Sequence, residues 1–219
     1  MIKLFGRMIP AAARGLSGPR LHPTAVVTSR FRVLPHDIDM NRHLNNGRYL
    51  QVIDINRMEY LLRTGVAQTI LRERWKPILG STTIQFRREL RLWERAVAAT
   101  ELLGWDDRWV YLEHRITTLA GRPVAIAMAR AGFRSRGSWV PIEQLVAALP
   151  HQMSPMELPA RVETWRRLDD CLAEAGTPRP LPASLTHPAQ IRSVRPAREA
   201  AHMPAACPAP HLQSVFEGD

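Results

Sequence analysis

The sequence predicts an α+β fold in which a curved antiparallel sheet wraps around one long central helix. Three observations carry this expectation: a β-branched, roughly alternating run at residues 25–34, one long stretch of apolar residues at helical intervals after it, and four alternating runs joined by tight turns from residue 81 onward. In chain order these give strand, long helix, then consecutive strands. A helix of that length buries its apolar face only by lying across the concave side of the sheet.

Each element follows from local chemistry. Residues 25–34 (AVVTSRFRVL) suit a strand with one buried face, and Pro35 ends its regular pairing. Tyr49, Leu50, Val52, Ile53, Met58, Tyr60, Leu61 and Leu62 then recur at helix-like intervals until Gly65, which is placed as a stop. A short helical pattern over 66–75 ends before Pro77. The period then changes to that of strands at 81–90, 96–103, 109–118 and 123–133, with turns marked by Trp93-Glu94-Arg95, Gly104-Trp105-Asp106-Asp107 and Ala120-Gly121. Helical patterns over 142–149 and 160–175 follow, expected on the outside of the sheet. This order of elements is the one a hot-dog fold requires.

The organisation expected is a basic, flexible arm over 1–22, one domain over 23–150, a C-terminal helix within 151–175 and a disordered tail over 176–219. The tail holds eight of the eighteen prolines and few large apolar residues, too little to offset the entropy of ordering it. The formal charge of +10 invites a nucleic-acid reading, because clustered cations gain affinity by releasing counterions from phosphates. Here the charge is almost all arginine, scattered from Arg7 to Arg198 and often beside Glu or Asp, so no nucleic-acid partner is expected. An anionic, nucleotide-bearing substrate fits that surface, as does weak membrane-surface contact through the basic arm. Cys171 and Cys207 form neither a CxxC pair nor a disulfide framework, and no run approaches the ~18 apolar residues of a membrane span, so a reducing, cytoplasmic setting is expected.

The densest polar cluster is His36-Asp37-Ile38-Asp39-Met40-Asn41-Arg42-His43-Leu44-Asn45-Asn46, between the first strand and the long helix. Asp37, Asp39 and Asn41 fit the opening of a calcium loop, but Arg42 stands where such a loop needs glycine and Arg48 where it needs a bidentate glutamate. The spacing of His36 and His43 matches no common zinc arrangement, so neither a metal nor another cofactor is expected. Capping of the helix by Asn45 or Asn46, with Asp37 and Asp39 near its positive end, accounts for part of the cluster. It leaves unexplained the convergence of so many proton-handling groups.

The string Asp37-Ile38-Asp39-Met40-Asn41-Arg42-His43-Leu44-Asn45-Asn46-Gly47-Arg48-Tyr49 resembles the D-x-D-x-x-x-H-hydrophobic-N-N-x-x-Y signature of hot-dog thioesterases, a group that includes the 4-hydroxybenzoyl-CoA and acyl-ACP thioesterase families. The second acid of that signature, its catalytic carboxylate, falls on Asp39. The D-x-N-x-H of the plant acyl-ACP branch is matched by Asp39, Asn41 and His43. The Y-R-R-E-C string of that branch resembles Phe86-Arg87-Arg88-Glu89-Leu90, with the glutamate kept at Glu89 and leucine in place of the cysteine. The chain is most similar to the subgroup called thioesterase superfamily member six, through Arg32-Val33-Leu34-Pro35 with the two aspartates, Leu103-Gly104-Trp105-Asp106-Asp107 and Tyr111-Leu112-Glu113. The resemblance covers about residues 30 to 150.

The resemblance implies hydrolysis of an acyl-CoA or acyl-carrier-protein thioester in a homodimer or dimer of dimers, without a cofactor. Such hydrolysis needs a base or nucleophile near the carbonyl carbon and donors near the oxygen that becomes negative. Asp39 supplies the first, as nucleophile or general base; His43 and Asn41 orient water or the carboxylate, and Glu89 is a further candidate. Amides around Asn46 and Gly47 are the candidate carbonyl donors, Tyr49 at the same helix start is a further substrate-binding candidate, and Arg134 and Arg136 are candidates for CoA phosphates. Two alternatives stand. A non-catalytic acyl-thioester or lipid-binding module would keep the groove without a competent base. An enoyl-CoA hydratase has a D-x-N-P-x-H motif, one residue longer than Asp39-Met40-Asn41-Arg42-His43 and with a proline absent here.

Overall fold

A computed structural model describes residues 2–175. The elements are α1 (Ile2–Ser17), β1 (Val27–Arg32), α2 (Asn46–Arg63), α3 (Val66–Arg72), β2 (Lys76–Phe86), β3 (Arg95–Trp105), β4 (Val110–Thr118), β5 (Pro123–Ser135), β6 (Ser138–Val140), α4 (Ile142–Ala148) and α5 (Ala160–Ala175). All pairings are antiparallel, in the order β1-β3-β4-β5-β2 with β6 beside β5. The sheet curls about α2: Tyr49, Val52 and Ile53 share one core with Ala96, Ala98, Ile116, Ala125 and Ala127, and Ile84 of β2 packs against it. Small side chains on β3 and β5 let the helix lie close to the strands. Each fully buried Val or Ile there contributes about 1.5–3 kcal/mol.

The start and stop of α2 are set locally. The Asn45 side chain accepts the Gly47 N–H at 2.9 Å, a cap worth roughly 0.5–2 kcal/mol. At the other end Thr64 caps the helix, and Gly65 takes φ +81°, a conformation glycine adopts without a Cβ clash.

Three elements differ from the expectations. Strand β2 begins at Lys76 rather than 81, because Pro77 does not break it: β2 is an edge strand, where a missing N–H costs no ladder bond. A bulge between Leu79 and Ser81 follows, and a Cβ on the intervening Gly80 would lie 2.5 Å from the Trp109 ring. Strand β6 was not anticipated; Arg136 and Gly137, both at positive φ, make the two-residue turn that returns the chain along β5. Of the two C-terminal helices, only α5 covers the outer face, with Val162 and Trp165 against Leu103 and Tyr111. Helix α4 instead closes the inner layer, where Ile142 and Leu145 meet Val66, Ile70 and Phe133.

The flexible arm expected over 1–22 is corrected by α1, a helix docked on α2. Ala11 is fully buried, and Gly15 passes so close to Leu62 that an added Cβ would lie 2.8 Å from it. Two guanidinium–carboxylate pairs, Arg7–Asp37 and Arg14–Glu59, fasten the same helix. These contacts are long-range, so a composition-based reading of the arm had no access to them. Among the described residues no helix is long and apolar enough to cross a membrane. The tail expected over 176–219 lies outside the described residues.

Candidate active site

The polar cluster folds as a tight loop between a short 3-10 turn (Pro35–Asp37) and α2. Ile38 and Leu44 pair across its base, the Asp39 N–H donates to the His43 carbonyl (3.1 Å), and the Arg42 N–H donates to the Asp39 carbonyl (3.1 Å). Arg42 takes φ +63°, the left-handed conformation that a calcium loop gives to glycine. Within the loop, Asp39 Oδ1 accepts the Asn41 N–H at 2.9 Å, and Oδ2 stands 3.6 Å from His43 Nδ1. That nitrogen lies 3.2 Å from the Leu44 carbonyl, an arrangement that favours an Nδ1–H tautomer and leaves Nε2 free to accept. The Asp39 and His43 side chains are 21% and 26% exposed, screened from bulk solvent yet reachable. Met40, at the tip, is 99% exposed.

Asp39, Asn41 and His43 are thus brought together, Asn41 through its backbone amide. The remaining candidates are distributed differently. At the start of α2, the Gly47 N–H is spent on the Asn45 side chain and the Arg48 N–H on the Asn45 carbonyl. Asn46 therefore keeps the helix-start amide nearest the loop that has no acceptor among the described residues. Glu89 lies on the segment that pairs with His43 and Leu44, but it is exposed and both Nε and an Nη of Arg91 donate to it. Tyr49 is buried in the core, edge-on to Phe86, its hydroxyl donating to the Arg88 carbonyl at 3.4 Å; burial raises its pKa above the ordinary value. Arg134 and Arg136 sit at the β5–β6 turn, remote in the fold from the loop, with Arg134 over the Trp139 ring and in register with Lys76.

Two features escaped the sequence reading. The first is a mostly apolar cavity of about 300 Å³ whose walls include Tyr60, Leu61, Ile78, Phe133 and Leu145, with Arg57 as the charged side chain in its wall. It opens at the carboxyl half of α2, and at ~1.5 Å per residue Tyr60 lies roughly 20 Å along the helix from Gly47. Within one subunit, aspartate and cavity therefore lie toward opposite ends of α2. The second is that Asp37 is buried and bonded to groups from three directions: the Leu34 N–H and Arg7 on its carboxylate, and the Asn45 N–H on its carbonyl.

A sheet wrapped about a helix, with a partly screened aspartate loop at the helix start, defines the class: a hot-dog fold of the thioesterase kind. The chain belongs to the thioesterase-like superfamily, whose family model matches residues 33–165. It is 33% identical over 139 residues to Protein THEM6 of Xenopus laevis, a match spanning 63% of this chain and 66% of that protein's length. It is 31% identical over 99 residues to thioesterase lcsJ of Purpureocillium lilacinum, covering 36% of this chain and 32% of that enzyme. Among solved structures, the probable thioesterase YbaW of Escherichia coli superposes with a TM-score of 0.52 at 20% identity, over 56% of this chain and 95% of its own.

Proposed function

We propose that the protein hydrolyses an acyl thioester, with Asp39 as the essential carboxylate. The observation that carries this reading is the posture of Asp39: Oδ1 is pinned by the Asn41 N–H, while Oδ2 is turned toward His43 in a half-screened loop at the amino end of α2. One water is consumed and the products are a carboxylate, a thiol and a proton. Asp39 either takes the proton of the attacking water or attacks the carbonyl carbon itself. The Asn46 amide, at the positive end of the helix dipole, is the donor best placed for the developing oxyanion.

The active unit in this reading is a homodimer joined at β2. That strand is eleven residues long and has no partner on its outer side among the described residues; within it Leu79 is 52% exposed and Phe86 41%. Antiparallel pairing of two β2 strands about a two-fold axis sets the Phe86 end of one copy beside the Ile78 end of the other. The aspartate of one subunit then faces the cavity of its partner, which takes the acyl chain. Arg134 and Lys76 stand at that same end, and neither has a carboxylate partner among the described residues, as CoA phosphates require.

The test is thiol release from a panel of short, medium, long and aromatic acyl-CoAs, with Asp39→Ala and Asp39→Asn beside the wild type. Turnover that depends on Asp39 is expected. Silence of the wild type across the whole panel would favour the binding-module reading instead.

A further inference from the structure

We infer that Arg7, on a helix outside the matched family region, is a positioning residue for the Asp39 loop and acts through Asp37; this rests on the hydrolytic reading above. The Arg7 guanidinium spans both carboxylate oxygens of Asp37, at 2.6 Å and 3.3 Å, and also donates to the Arg32 carbonyl at 2.8 Å. The Asp37 side chain is only 2% exposed. The His36 ring also approaches it, with Nε2 3.4 Å from Oδ1. Burying a carboxylate this deeply is costly unless a counter-charge and donors stand close by, and Arg7 supplies both in a two-toothed geometry.

What makes the pair matter for the site is where Asp37 sits. Its carboxylate holds the Leu34 N–H (2.9 Å) on the incoming side of the loop, and its carbonyl holds the N–H of Asn45, the cap of α2, on the outgoing side (2.9 Å). Asp39 is two residues away, inside the span that these bonds close. Arg7 therefore sets the base of the loop from outside, and α1 is the element that carries it there. A second pair on the same helix, Arg14–Glu59, is comparably short at 2.8 Å and its acid is also buried, but it joins the carboxyl half of α2 and touches no part of the loop. Nature has thus built an internal control.

The experiment compares Arg7→Ala, Arg7→Lys and Arg14→Ala in the full chain by steady-state kinetics and by amide hydrogen exchange at Asp39, Arg42 and Asn45. These three amides make the bonds that close the loop. Loss of Arg7 is expected to lower kcat about 10- to 100-fold with KM changed less than about 3-fold, since misplacement of a reacting group by ~1 Å costs of that order. Exchange at the three amides should accelerate at least tenfold. Arg7→Lys, which keeps the charge without the fork, should recover part of both losses, and Arg14→Ala should leave kcat and loop exchange at wild-type values. Equal kcat and equal loop exchange in Arg7→Ala and wild type would overturn the inference, as would an identical loss in Arg14→Ala. Faster loop exchange in Arg7→Ala alone, in a protein whose wild type hydrolyses nothing, would sink the thioesterase reading and leave the Arg7–Asp37 coupling standing. Should Arg7→Ala fail to fold, the double variant Arg7→Ala, Asp37→Asn removes the stranded charge and carries the same readouts.

Discussion

Thr100 and His114 face each other in register across β3 and β4, and Thr100 Oγ1 lies 2.9 Å from His114 Nδ1 beneath α2. The threonine hydroxyl donates onward to Asn56 Oδ1 at 2.6 Å, and the Asn56 amide donates to Ser29 Oγ at 2.9 Å. A buried polar chain thereby stitches α2 to β1, β3 and β4. For Thr100 to donate to Asn56 it must accept from His114, which fixes an Nδ1–H tautomer and leaves Nε2 as a buried acceptor without a partner among the described residues.

The first prediction follows from that imidazole. Burial, and secondarily the nearby Arg57 charge, push its pKa down to about 3, so the folded protein holds it neutral. The unfolded chain binds a proton near pH 6.5 and the folded one does not, so stability is full above that value and falls as pH drops toward 3. The slope is at most about 1.4 kcal/mol per pH unit. Urea midpoints measured between pH 7.5 and pH 5 should fall for the wild type, and fall distinctly less for His114→Leu. Parallel curves for the two proteins would remove His114 from the account.

The second concerns the shared site. If one subunit supplies Asp39 and the other the cavity, Asp39→Ala and Val146→Trp, which fills the cavity, should each be inactive alone. Mixing equal amounts after exchange of subunits should restore about a quarter of wild-type turnover, because half the dimers are mixed and each holds one intact site. No recovery, with subunit exchange verified, would place aspartate and cavity in the same subunit's service.

The third tests the cationic end of the sheet. Arg134→Ala should raise KM for acyl-CoA about 3- to 10-fold with kcat unchanged, and the difference should shrink as salt rises. The same substitution should leave an acyl-N-acetylcysteamine thioester, which lacks phosphates, untouched. An equal effect on both substrates would assign Arg134 a role in folding or packing.

Much of the architecture was legible because its signals are local. The alternating runs at β3, β4 and β5 and the capped helical run of α2 announce themselves through neighbours a few residues apart. The loop at Asp39 was legible through density of functional groups, and Asp39, Asn41 and His43 do converge. What failed to show depends on tertiary context. Pro77 looks like a stop until β2 is known to be an edge strand. Gly47 looks like a free donor until the Asn45 rotamer is known. Arg7 looks like a charge on a loose arm until Asp37, thirty residues on, is found buried beneath it. The cavity draws on residues from Pro23 to Met153, a set no spacing rule connects.

The central claim, that Asp39 carries thioester hydrolysis, is tested most directly by one comparison: thiol release by wild type and Asp39→Asn on the best acyl-CoA of the panel, with binding of a non-hydrolysable acyl-CoA ether measured alongside. If Asp39 carries the reaction, the wild type turns over, Asp39→Asn falls by at least about a thousandfold, and binding of the ether is unchanged. Turnover by Asp39→Asn at the wild-type rate would contradict that role.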